Sequence, residues 1–383
     1  MNPKSKALTS LTLAALLTVG TSNFHARAQT APAQPARAQP APGKPAAADD
    51  SGTIKRANPD MRQVLEKLMQ LGAKPLGSQT PEETRQGPSP ADAVAAVLRD
   101  QGKNPAALAA ATGVTKQDLT YPTAGTTQAV RIYKPSNSTG KLPVIVYIHG
   151  GGWVIADLNT YDSSPMALAK KTGAIVVSFE YRHAPEFRFP AAHDDTFAAY
   201  KWTLDNAAKF GGDPKRVAIA GESAGGNMAI NVAIRARDEK IQTPLHMLLV
   251  YPVAGTDLTT PSYVKNERAI PLSKAAMEWF VKNTIQSPAD LADPRLAVYA
   301  KANLAGLPPA TIINAEIDPL ASDGQFLADK LRAAGVKTKR EVYTGVTHEF
   351  FGMDAAVAAA AKAQDFAAQE LKAAFATRVS TAK

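Results

Sequence analysis

Ser223 stands at the centre of Gly221-Glu222-Ser223-Ala224-Gly225, between the apolar run Val217–Ala220 and a helix-like stretch beginning near Gly226. A serine hydroxyl is a poor nucleophile until it is exposed, aimed and hydrogen-bonded to a base. A sharp strand-to-helix turn would hold Ser223 at its tip in a strained backbone conformation. Glycines two positions to either side would let strand and helix pack closely enough for that turn. The same five residues also suit a glycine-rich connection with an incidental serine, so partners elsewhere in the chain must decide.

A serine nucleophile needs a base, an acid to orient the base, and donors for an oxyanion. There are six histidines. His25 falls in the N-terminal leader, His246 opens an apolar strand, and His183 and His193 flank a proline-containing loop upstream of the serine. His149 opens a glycine run and reads as a hydrogen-bonding residue of that loop. His348 follows the last predicted strand, in Gly345-Val-Thr-His-Glu, where its ring can reach across the top of a sheet. Asp318 directly follows the apolar run Ala310–Ala315 and precedes Pro319, which places it in the turn at a strand's carboxyl edge. Its carboxylate can accept the Nδ1 hydrogen of His348. Glu316 is its rival on the same side of an extended chain, and Asp323, expected in the following helix, is a weaker one. The donors are expected from His149-Gly150-Gly151-Gly152-Trp153, where successive glycines let backbone N–H groups face inward without a β-carbon in the way. Gly151 and Gly152, with the Ala224 amide, would form the oxyanion hole. A phosphate-binding loop would need a G-x-G-x-x-G spacing or a P-loop lysine, and the run has neither.

The elements that must position these groups alternate. Residues 128–134, 142–148, 174–180, 217–220, 245–250 and 310–315 read as strands, with 338–343 weaker. Helical patterns fall near 162–172, 191–209, 226–239 and 322–334, and an alanine-rich final helix spans 354–376. Buried strands alternating with helices imply an α/β protein with a mostly parallel central sheet covered on both faces. Residues 257–305 are too long for an ordinary connection. Together with the N-terminal helical stretches within 54–105, they are candidates for a cap over the carboxyl ends of the strands.

At 383 residues the chain has ample length for a buried core, and 45% hydrophobic with 20% charged residues is a globular balance. Lys4 and Lys6 precede an apolar stretch, Ala7–Gly20, and Ala26-Arg27-Ala28 has the spacing of a cleavage site. Residues 1–28 are therefore expected to be a signal peptide, which predicts a periplasmic or secreted protein. The apolar stretch is too short and too interrupted for a stable membrane span. Residues 29–53, with prolines at 32, 35, 40, 42 and 45, read as a disordered linker before a catalytic domain at 54–383. With no cysteine, disulfides, thiol nucleophiles and cysteine-based metal sites are excluded. The net charge of +9 is spread along the chain without interleaved aromatics, which argues against nucleic-acid binding. The patterning leaves the oligomeric state open, a homodimer included.

The H-G-G-G-W run, G-E-S-A-G-G-N at 221–227, D-P-L at 318–320 and the late His348, in that order, resemble the hormone-sensitive-lipase-like branch of the α/β-hydrolases, the bacterial family IV esterases. Tyr181-Arg-His-Ala-Pro-Glu186 is similar to that family's Y-R-x-A-P-E element, Tyr251-Pro252 to its strand-end Y-P, and the helix around Asp60–Leu71 to its N-terminal cap. The resemblance spans roughly residues 57–375. It implies an α/β-hydrolase fold, cofactor-free hydrolysis of short- to medium-chain carboxylic esters through an acyl-serine intermediate, and a small-molecule ester as partner. Three positions depart from the family pattern. His183 replaces an aliphatic residue, Phe187 a histidine, and Glu349 a glycine, and all three bear on pocket shape. Two other functions use the same framework. The plant gibberellin receptors resemble this family but lack the late histidine that His348 retains, and acyl transfer or polysaccharide deacetylation would employ the same three side chains.

Overall fold

The computed structural model describes residues 52–376. The expected signal peptide and all but the last residues of the expected linker lie outside the described residues. One sheet of eight strands organises this part of the chain. The strands are β1 (Val114–Thr123), β2 (Thr126–Pro135), β3 (Leu142–Ile148), β4 (Ile175–Phe179), β5 (Gly212–Glu222), β6 (Met247–Val250), β7 (Ala310–Ile317) and β8 (Thr338–Thr347). Their spatial order is β1-β2-β4-β3-β5-β6-β7-β8. β1 and β2 are antiparallel to their neighbours, and β4 through β8 run parallel.

The described residues include eight helices of ten or more residues: α1 (Pro59–Gln70), α2 (Pro90–Asp100), α3 (Ser163–Thr172), α4 (Ala191–Asn206), α5 (Ala224–Asp238), α6 (Lys274–Thr284), α7 (Ala321–Ala333) and α8 (Ala358–Ala376). The period-2 alternation of a strand divides the core in two. Val144, Val146 and Ile148 of β3 join one cluster with residues of α4, α5 and α7. Ile145 and Tyr147 join the other, with residues of α1, α3 and α8. Strands buried on both faces explain the uninterrupted apolar runs in the sequence.

Two strands differ from their sequence patterns. β1 carries no apolar run; it is a mostly exposed edge strand, held by its ladder to β2 through a turn in which Ala124 and Gly125 both have positive φ. Edge strands need only one ladder and little burial, so hydrophobic patterning says little about them. β8 continues to Thr347 instead of ending near residue 343, because an irregularity after Ala315 lets Ile317 pair with Thr347. His348 therefore leaves directly from a strand end.

The segment 257–305 folds as short helices and α6, and it packs across the N-terminal segment. Arg56 Nη1 donates to Asn266 Oδ1 at 2.9 Å, and Ile270 N donates to Thr53 Oγ1 at 3.3 Å. Asn58 Nδ2 donates to the Thr344 carbonyl at 2.9 Å, so the same N-terminal segment also braces β8. No helix among the described residues is long and apolar enough to cross a membrane.

Candidate active site

Each site residue foreseen in the sequence sits at or just beyond the carboxyl end of a parallel strand. The glycine run follows β3, Ser223 follows β5, Asp318 follows β7 and His348 follows β8. This is the edge of an open α/β sheet where ligands bind.

Ser223 has φ 56° and ψ −120°, a conformation that L-residues rarely adopt. Three ties hold it there: its N–H donates to Val250 O at 2.9 Å, and its carbonyl accepts from Asn227 N and Val253 N at 3.1 Å each. The flanking glycines are required sterically. A β-carbon on Gly221 would lie 2.2 Å from Gly225 O, and one on Gly225 would lie 2.1 Å from Ile148 O. Backbone packs directly on backbone around the serine.

His348 Nε2 lies 3.0 Å from Ser223 Oγ, and His348 Nδ1 lies 2.7 Å from Asp318 Oδ2. The other Asp318 oxygen accepts from Leu320 N at 2.8 Å, and Asn266 Nδ2 donates to the Asp318 carbonyl at 3.0 Å. All three side chains are buried. Burial pulls the His348 pKa down, but the Asp318 carboxylate, its hydrogen bond and the nearby Glu349 outweigh this and leave it raised above 6.5. The arrangement thus stabilises an imidazolium poised against a hydroxyl.

Both rivals of Asp318 are engaged elsewhere. Glu316 Oε2 accepts from Gly345 N at 3.1 Å. Asp323 Oδ2 accepts from Ala254 N and Gly255 N at 2.9 Å each, and burial pushes its pKa up to about 7 against those bonds. Among the other histidines, His193 Nε2 pairs with Asn227 Oδ1 at 2.9 Å and His246 Nε2 with Thr311 Oγ1 at 2.9 Å.

Gly151 and Gly152 have φ 96° and 57°. The amides of Gly151, Gly152 and Ala224 donate to no group among the described residues; the last is the first amide of α5, free by its position in the helix. The loop is held from behind and above. Tyr181 Oη donates to Gly150 O at 2.8 Å, His149 Nδ1 lies 2.9 Å from the same carbonyl, and Phe280 of α6 leaves no room for a β-carbon on Gly152. Segment 257–305 therefore does reach the site. With Trp153, Val253 and Leu296, α6 also lines a narrow apolar cavity of about 20 Å³, room for about one water.

Some residues at the site have contacts that the sequence did not foretell. Tyr161 Oη donates to both Glu349 oxygens, at 2.6 and 2.7 Å, and Glu349 Oε1 lies 3.7 Å from His348 Nε2. The Tyr251 ring lies 4.5 Å from the imidazole, centroid to centroid. Tyr147 and Tyr251 both donate to the Glu222 carboxylate, whose pKa burial pushes up to about 7. The departure at position 349 and the Tyr251-Pro252 pair are the signals the sequence offers, and neither tells what the side chain touches. The tyrosines come from distant segments, and only the fold brings them in.

Comparison with known proteins agrees with this geometry. Residues 145–352 match the model of a family described as having the alpha/beta hydrolase fold. A carboxylesterase of Mycobacterium tuberculosis, NlhH, is 41% identical over 242 residues, covering 61% of this chain and 74% of the relative. An ethyl acetate hydrolase of Pseudomonas putida is 34% identical over 232 residues, 60% of this chain and 73% of that protein. Among solved structures, a thermostable esterase from Pseudomonas putida superposes with a TM-score of 0.73 at 30% identity, over 84% of this chain and 98% of that one. The carboxylesterase EstE1, from a metagenomic library, gives a TM-score of 0.69 at 32% identity, over 78% and 99% respectively. With its parallel sheet, its serine turn and these relatives, the chain belongs to the α/β-hydrolase superfamily, in the hormone-sensitive-lipase-like branch of family IV esterases.

Proposed function

We propose that the protein is a serine carboxylesterase that cleaves short-chain acyl esters with Ser223, His348 and Asp318. The observation that carries this is the continuous relay from Asp318 Oδ2 through His348 to Ser223 Oγ, with links of 2.7 and 3.0 Å. Ser223 Oγ attacks the ester carbonyl while His348 Nε2 takes its proton, and Asp318 holds the Nδ1–H and stabilises the imidazolium. The carbonyl oxygen becomes an oxyanion facing the amides of Gly151, Gly152 and Ala224. Each such donor is typically worth about 2.7–4 kcal/mol in the transition state. Collapse expels the alcohol, which takes the proton from His348. Water then attacks the acyl-serine, His348 accepts its proton, and carboxylic acid and free Ser223 are released.

An ethyl acetate hydrolase among the curated relatives supports short acyl esters as the substrates. The leader-like N-terminus further supports action after export, with cleavage following Ala28.

The test is a series of p-nitrophenyl esters from acetate to palmitate, run with wild type and Ser223→Ala. Activity should be highest on the shortest chains and should vanish in the variant, and a fluorophosphonate probe should label wild type once per chain. Turnover that survives Ser223→Ala would remove the serine assignment; a preference for palmitate would remove the acyl-length assignment. Amino-terminal sequencing of the protein recovered from the producing cell should begin at Gln29 if export and cleavage are as stated.

A further inference from the structure

At the start of the oxyanion loop three potential ligands meet. His149 Nε2 lies 2.9 Å from Glu180 Oε1, and His183 Nε2 lies 3.3 Å from the same oxygen. The ligand atoms of all three residues lie within 4.8 Å of one another. A tetrahedral zinc ion with bonds near 2.0–2.1 Å separates its ligands by roughly 3.3 Å, so the cluster needs only small adjustments to hold one.

The hydrogen bonds set the nitrogens for this role. His149 Nδ1 donates to Gly150 O, which leaves the Nε2 lone pair of a neutral ring facing the carboxylate. Two acceptors in that position need a cation between them, either a proton or a metal ion. His183 Nε2 is buried and makes no hydrogen bond of acceptable geometry, although it points at the same oxygen. The other Glu180 oxygen accepts from Leu158 N at 3.3 Å, and the Gly150 carbonyl fixes the His149 tautomer. Such outer contacts orient metal ligands in established sites. Glu180 and His183 also line a polar groove of about 370 Å³, which gives access from solvent and room for water as a further ligand.

We propose that His149, Glu180 and His183 form a binding site for a divalent transition metal, with zinc as its test ion, that acts on the oxyanion loop rather than in the reaction. A metal on His149 Nε2 pulls on the ring whose Nδ1 holds Gly150, one residue from the expected oxyanion donors. Ester hydrolysis should then proceed without metal and change when the site fills.

The experiment is calorimetric titration of ZnCl₂ into untagged, EDTA-stripped protein, comparing wild type with His183→Leu. Leucine fills the space but offers no ligand. Wild type should bind one zinc per chain, and the variant should bind about tenfold or more weakly. Rates of p-nitrophenyl acetate hydrolysis are compared with and without zinc within each protein, and only wild type should change from its own rate in EDTA. Absence of binding to wild type, or equal affinity in the two proteins, overturns the site. Should His183→Leu not fold, as judged by thermal melting, His183→Asn replaces it with the same two outcomes. Because the readout is binding, it is independent of whether Ser223 is the nucleophile.

Discussion

Gly225→Ala tests the idea that the serine turn and the oxyanion loop form one rigid unit. A β-carbon at Gly225 meets Ile148 O at 2.1 Å, His149 O at 2.5 Å and Ile148 C at 2.7 Å. Every one of these atoms is backbone, so no side chain can swing aside. Ordinary contact begins at 3.4 Å, hence the start of α5 or the end of β3 must retreat by about 1.3 Å. The start of α5 carries Ser223 and Ala224, and the end of β3 leads to Gly151 and Gly152. The retreat therefore separates nucleophile from oxyanion donors along the axis that matters. Misplacing reacting groups by about 1 Å can cost on the order of 10²-fold, so kcat on p-nitrophenyl acetate should fall by about that factor. Overpacking of this kind costs typically about 1–3 kcal/mol, which a protein of this size survives folded. Gly173→Ala is the control. Gly173 also has positive φ, at 72°, but nothing lies within 4 Å of its added carbon, so the strain stays local. Steady-state kinetics and thermal melting on both variants decide the matter. A folded Gly225→Ala enzyme with kcat within twofold of wild type would refute the reasoning, as would an equal loss in Gly173→Ala.

Three further outcomes are expected. Asp318→Asn keeps the shape but cannot hold the Nδ1–H tautomer, so kcat should drop by roughly 10⁴-fold with an unchanged circular dichroism spectrum; a loss below tenfold would point to another acid. Glu349→Gln retains the Tyr161 contact but removes a charge that raises the His348 pKa. The neutral imidazole is the active form and is lost as pH falls, so the acidic limb of kcat/KM should move to lower pH; a limb that stays put denies Glu349 this influence. Burial holds His193 down at about 4, below its ordinary 6.5, so the unfolded chain takes the proton first and stability falls as pH drops from about 6.5 towards 4. Urea unfolding at pH 7 and pH 4.5 should show His193→Gln losing less stability than wild type, by on the order of 2 kcal/mol. Equal losses would mean that His193 titrates normally.

Legibility in the sequence followed the locality of the cause. The serine turn was readable because its requirement is local: glycines at 221 and 225 answer clashes created by the turn itself. Strands β3 to β7 were readable because burial on both faces leaves an apolar run, whereas the exposed edge strand β1 left none. The end of β8 is not legible, because its last pairs depend on an irregularity in β7 that no pattern within 338–347 can report.

Which residues occupy the strand ends, and in what order, is written in the chain, since apolar runs and turn glycines follow from neighbouring residues. Tertiary structure decided which side chains meet. It chose Asp318 over Glu316 and Asp323 by spending the rivals on backbone amides. It brought Glu349 to Tyr161 across 188 residues and beside His348 Nε2. It also turned the histidine at position 183, in the sequence only a departure from a family pattern, towards Glu180 and His149. Such contacts depend on strand order and register across the whole sheet, and a linear pattern carries no information about distance between its separate parts.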